Sequence, residues 1–190
     1  FESRRSAALP QAVNDAAKHN AANTELVAGG NGLTNYQMAY AFPIPNDGLE
    51  VIWNQITRYR GASLQRTVTQ ATPQVNGNYN IVRFVEEYVL PSALSDYSAG
   101  DSTEMLYYFK QQVTDPSRLA GNVLLVHETI NQVANPRMAW IYNAGQRRVR
   151  RAPQVAYDGP AFGSDATRTS DNYDFYKFLC FIYFMKLLIA

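Results

Sequence analysis

The sequence is poor in the residues from which active centres are usually built. It holds one cysteine, Cys180, and two histidines, His19 and His127, among 190 residues. A lone cysteine excludes an internal disulfide, and no spaced His/Cys set is present to hold zinc. No GxSxG, HExxH or GK[ST] pattern occurs, so the usual marks of esterases, zinc proteases and phosphate-binding loops are missing. Charged residues make up only 17% and the formal net charge is +1, which gives no global signature for nucleic acid. Acidic residues are absent altogether between Glu128 and Asp158.

That acid-free stretch holds the most informative segment, Asn135 to Pro153 (NPRMAWIYNAGQRRVRRAP). It reads as a β-hairpin. Met138, Trp140 and Tyr142 alternate on one face of the first arm, with Ala139 and Ile141 on the other. Asn143-Ala144-Gly145 supplies turn chemistry, Gly145 being expected to take a positive φ. The return arm carries Arg147, Arg148, Arg150 and Arg151 around Val149. These arginines lack a local counter-charge, so they must reach distant acids, bind an anion or lie solvated.

The rest of the chain reads mainly as strands. A helix is expected from Gln11 to about Val27, with Pro10 in its first turn and an apolar stripe of Ala12, Val13, Ala16 and Ala17. Gly29-Gly30-Asn31-Gly32 ends it, and Asn46-Asp47-Gly48 marks a turn. From Leu49 the pattern suits a strand, with Val51, Trp53, Gln55, Thr57 and Tyr59 on one face. Ser63–Ala71 and Tyr79–Leu90 flank the hairpin signal Asn76-Gly77-Asn78. Glu104–Val113 follows, and then Gly121–Ile130, apolar on both faces and therefore a central strand. Strands joined by short turns imply an antiparallel meander that curls into a barrel or half-barrel. The expected class is mainly β (α+β), a curved antiparallel sheet with one N-terminal helix. Residues 1–48 form the helix and an extended arm, and 49–174 the sheet of the same domain. Residues 175–190 are almost wholly apolar, yet 16 residues fall short of the ~20 that span a bilayer as a helix. A frameshifted, mis-assigned or truncated end is the first reading of that tail, a membrane anchor the second and an interior strand the third. The chain starts at Phe1 without an initiator Met, as a mature or fragmentary segment would.

The run from Arg137 to Tyr157 resembles the signature of a domain-of-unknown-function family of outer-membrane lipoprotein-sorting-like proteins. Further pieces resemble it too: Pro43-Ile44-Pro45 to Trp53-Asn54, Arg58-Tyr59-Arg60-Gly61, Arg118–Asn122 with Val126-His127-Glu128-Thr129, and Ser164-Asp165 with Arg168–Asp171. The likeness covers about residues 1–174, and the tail departs from it. It implies a periplasmic protein with a half-barrel like those of the lipoprotein carriers LolA and LolB, exported by an upstream signal. It also implies a piece of a longer family fold, and a transporter of the resistance-nodulation-division type or an outer-membrane protein as partner.

Two accounts of the chemistry stand side by side. Trp53, Tyr59, Phe84, Tyr107, Phe109, Trp140 and Tyr142 are either ordinary core or the lining of an apolar hollow. Arg147, Arg148, Arg150 and Arg151 either pair with Glu86, Glu87 or Glu104, or hold a phosphate or carboxylate head group. The sharper account makes the chain a non-enzymatic carrier of a lipid, an acyl chain or another hydrophobic molecule, with no catalytic residue, metal or cofactor. A structural or interaction module docking an envelope partner through a strand edge is the alternative. An ester hydrolase is a third reading and requires a Ser or Asp within reach of His127. His127 and Glu128 are adjacent on a strand and cannot cooperate across its two faces.

Overall fold

The computed structural model describes residues 9–95, 105–152 and 159–170. The chain falls into two compact units, Phe1–Tyr59 and Arg60–Ala190.

In the first unit, helix α1 (Gln11–Asn23) follows Pro10, which stands just before the first turn and not within it. It buries Val13, Ala16 and Asn20, so the expected stripe is rotated and Ala12 lies exposed. The Asn20 amide donates to the Tyr40 carbonyl at 2.9 Å and accepts from the Gln37 N–H at 2.9 Å, fixing the loop that follows. The helix stops at Asn23, four residues before the expected end. The chain then pairs as a short hairpin, β1 (Glu25–Val27) with β2 (Gly32–Thr34). Gly30 sits at φ +95°, and a Cβ there would lie 2.4 Å from Leu49 Cδ2. Only glycine fits.

The strand expected from Leu49 is instead a helix, α2 (Gly48–Thr57). Asp47 is not merely a turn residue. It caps the helix, accepting from the Glu50 N–H at 2.9 Å, while the Glu50 carboxylate accepts from the Asn46 N–H at 2.6 Å. This reciprocal cap is a helix-start signal that outweighs the β-branched residues downstream. Trp53 is fully buried on α2, and its indole N–H donates to the Gly30 carbonyl at 3.0 Å.

The second unit is one six-stranded antiparallel sheet in which sequence order is spatial order: β3 (Ser63–Pro73), β4 (Tyr79–Val89), β5 (Met105–Asp115), β6 (Val123–Thr129), β7 (Met138–Asn143) and β8 (Arg148–Arg151). Mainly antiparallel β is therefore correct. The sheet is open, since β3 and β8 do not pair with each other, and the described chain has two α-helices where one was expected. The β3–β4 turn closes as its Asn-Gly-Asn sequence demands, with Gly77 at φ +84°. In the β7–β8 turn the positive φ falls on Arg147 (52°), not Gly145. Asn143 Oδ1 accepts the Gln146 N–H at 2.8 Å, and this side-chain turn moves the left-handed residue to the last position.

Register divides the sheet into two faces. One carries Val82, Phe84, Glu86 and Tyr88 of β4 against Val113, Gln111 and Phe109 of β5, then Tyr107 against Glu128 and Val126 against Ala139. All of these are buried. One end of this face is covered by the loop at 159–170: Phe162 packs with Leu119 on Val82, Phe84 and Val113. Gln70 ties the loop down, donating to the Gly163 carbonyl at 2.8 Å and accepting from Arg168 at 2.8 Å. The tail at 175–190 and Glu104 lie outside the described residues.

Candidate ligand-binding face

The buried face is less apolar than its strands suggested, because it holds two carboxylates. Glu86 is 2% exposed and accepts from Arg66 and from Gln111, each at 2.7 Å. Register places these three residues in one row across β3, β4 and β5. Glu128 is fully buried and accepts from Arg137 at 2.6 Å and from Gln132. Tyr107 stands directly opposite Glu128. Burial first, and then the Glu128 charge, push its phenol well above the usual range. Each carboxylate is thus hydrogen-bonded, as a buried charge must be to persist.

The other face is half open. Glu87 and Lys110 meet on it at 2.9 Å, and the Lys110 and Gln65 hydrogen bonds hold the Glu87 carboxyl below its usual value. Beyond them, Tyr108 of β5 stands opposite His127 of β6, and Trp140 of β7 lies diagonally from His127 on the same face. The His127 ring lies 4.7 Å from Tyr108 and 4.8 Å from Trp140, edge-on to both. Such contacts contribute about 0.5–1.5 kcal/mol each between aromatic rings. Burial depresses the His127 pKa. Val123, Leu125, Met138 and Tyr142 extend this patch as half-buried neighbours, and Val149 of β8 completes it at 64% exposure.

The aromatics expected to share one lining are therefore not brought together. Phe84, Tyr107 and Phe109 belong to the buried face, whereas Trp140 and Tyr142 belong to the open one. Trp53 is on α2 and Tyr59 just after it, both in the first unit. Phe84 meets Phe162, with ring centroids 6.3 Å apart, which is core packing. The missed member is Tyr108, 36% exposed and adjacent to His127. Its place follows from register, which single-strand periodicity does not supply.

The arginines lie at the far edge of the sheet. Arg147 is in the turn, Arg148 and Arg150 extend to the buried-face side, and Arg151 to the open face opposite Trp140. All four are exposed. Pairing with Glu86 or Glu87 is ruled out by topology, because β5, β6 and β7 intervene and those acids are engaged by Arg66 and Lys110. Arg150 donates to Gln146 at 2.9 Å. Among the described residues, none of the four makes a salt bridge. His127 and Glu128 face opposite ways, as expected. Among the described residues no Ser or Asp hydrogen-bonds to His127, and no three His, Cys, Asp or Glu side chains cluster as metal ligands.

The family described as "Protein of unknown function (DUF1329)" matches residues 1–188. The chain belongs to this family. The DUF1329 match continues past residue 174, so the apolar end does not leave the family where a departure was expected. The chain is 62% identical over 177 residues to "Uncharacterized protein PA3922" of Pseudomonas aeruginosa, covering 93% of the chain. It spans 39% of the length of that relative. No solved structure matches it.

Proposed function

We propose that this DUF1329 chain is a non-enzymatic binding module that carries a hydrophobic, lipid-like molecule with an anionic head group. The observation behind this reading is the open face: the half-buried rings of His127, Trp140 and Tyr142 with the exposed Tyr108 beside them, bordered by a strand of exposed arginines. An acyl chain laid along the rings gains roughly 0.8 kcal/mol for each CH₂ removed from water. A phosphate or carboxylate at its end suits the planar fork of Arg151 on the same face. The site is the outside of a sheet and not the hollow expected from the residue pattern. A half-barrel akin to the LolA and LolB carriers, a periplasmic location and a transporter of the resistance-nodulation-division type as partner belong to the same proposal. They are drawn from the sequence resemblance, as is transport toward the outer membrane.

Fluorescence quenching tests it. Trp140 is half-exposed and Trp53 fully buried, so a fatty acid brominated along its chain should quench Trp140 saturably. The Trp140→Phe variant should lose that quenching, and Arg151→Gln should weaken it about tenfold, the equivalent of one charge-assisted contact of roughly 1.4 kcal/mol. Emission unchanged by the brominated acid, or quenched equally without Trp140, would remove the basis for a carrier.

A further inference from the structure

Within the six-stranded sheet every strand but β3 and β8 has two neighbours. Among the described residues nothing pairs with the outer side of β8, and this side differs from that of β3 in charge, since Arg148, Arg150 and Arg151 occupy three of its four positions. Its main-chain polarity can be read from one bond. Ala152 donates its N–H to the Ala139 carbonyl at 2.8 Å. By antiparallel alternation Arg150 and Arg148 then direct their main-chain groups at β7, and Val149 and Arg151 direct theirs outward. The outer edge of β8 thus offers peptide donors and acceptors to one more strand.

Charge selects that strand. A second copy of β8 would set guanidiniums against guanidiniums, and like charges facing one another across strands destabilise the pairing. An acidic segment does the reverse. Arg148 and Arg150 share one side of the sheet, two residues or about 6.8 Å apart, and Val149 stands exposed on the other side between them.

We propose that the outer edge of β8 is a docking edge for an extended segment of a partner protein, added as a seventh strand, with carboxylates two residues apart and an apolar residue between them. The carboxylates meet Arg148 and Arg150, the apolar residue covers Val149, and a further acid meets Arg151. Lipid binding is not a premise, because the decisive groups are the peptide edge and the two arginines on the side away from Trp140.

The probe is a fluorescein-labelled peptide, Thr-Glu-Glu-Val-Glu-Thr, followed by anisotropy and by hydrogen exchange of the protein. Binding should slow exchange of the Val149 and Arg151 amides. Methylating the peptide's valine nitrogen and that of the residue two before it blocks the bonds antiparallel pairing would form, and should lower affinity at least tenfold. Arg148→Gln with Arg150→Gln should lower it by a similar factor, and lysines in place of the glutamates should abolish it. No binding, equal binding of the methylated or the lysine peptide, or amides already protected in the chain alone would overturn the proposal. The methylated peptide leaves the protein unaltered, so misfolding cannot imitate the expected result. Failure here with Trp140 quenching intact would leave the carrier reading standing.

Discussion

Arg137 places both Nε and Nη2 2.6 Å from one oxygen of Glu128, a carboxylate with no solvent exposure. A charge so enclosed is held by its partner. Removing the guanidinium leaves a buried anion that keeps only the hydrogen bond from Gln132, and losses of about 3–5 kcal/mol are typical of such breaks. Arg137→Met should therefore destabilise the chain by that order, read as a fall in the urea midpoint at unchanged slope. Combining it with Glu128→Gln should restore most of the loss, because the neutral amide needs no counter-charge and keeps a partner in Gln132. Equal instability of the single and double variants would show that the guanidinium acts through packing alone.

Gly163 and Gly77 separate conformational strain from crowding. Both have positive φ, +71° and +84°, but a Cβ at Gly77 meets nothing within 4 Å whereas one at Gly163 would lie 2.7 Å from Phe84 Cζ. Gly77→Ala should cost about 1 kcal/mol, the left-handed penalty alone. Gly163→Ala adds displacement of a 1% exposed ring, for which overpacking values of about 1–3 kcal/mol apply. Thermal unfolding of the two variants should rank them in that order. Equal melting temperatures would mean that the loop at 159–170 yields and does not hold Phe84.

The cap of α2 gives a third test. Asp47→Ala removes the acceptor for the Glu50 N–H and should cost about 1 kcal/mol of the range measured for such caps, 0.5–2 kcal/mol. Urea unfolding followed by far-UV dichroism measures it. Asp47→Asn should restore most of the loss, since an amide oxygen accepts the same bond. An unchanged midpoint for Asp47→Ala would mean that packing of Trp53 alone sets the helix.

That cap also shows where sequence reading succeeded and where it failed. Strands β3 to β8 were legible because alternation and the Asn-Gly turn are local signals. Segment 48–57 was not, because Val51, Ile52, Ile56 and Thr57 favour strands while the deciding bonds join Asn46, Asp47 and Glu50. The site was legible only in part. Trp140 and Tyr142 could be placed on one face of their strand, but which face of the sheet stays open depends on residues distant in sequence, such as Phe162. The Glu128–Arg137 and Arg66–Glu86 pairs require register, since the sequence alone leaves Glu86 equally able to serve the β8 arginines.

His127 makes stability depend on pH in a definite direction. Its neighbours on the open face are Tyr108, Met138 and Trp140, with the cations Lys110 and Arg151 the nearest charges in register and Glu87 already paired to Lys110. Burial lowers its pKa from the ordinary 6.5, so the folded protein binds this proton less readily than the unfolded chain. Above 6.5 both states are neutral at this ring and its contribution to stability is fully present. Below 6.5 the unfolded chain takes up the proton first, and stability falls until the folded-state pKa is passed. The His127→Phe variant keeps an aromatic ring between Tyr108 and Trp140 and has nothing to titrate. Urea midpoints of the two proteins between about pH 8 and pH 5 should run parallel above neutrality and diverge on acidification, the wild type losing more. Glu87, whose carboxyl is held below its usual value of 4.5, titrates under that window and affects both proteins alike. Parallel curves throughout would mean that His127 gains its proton as easily in the fold as in water, and that the open face is wetter than the rings around it imply.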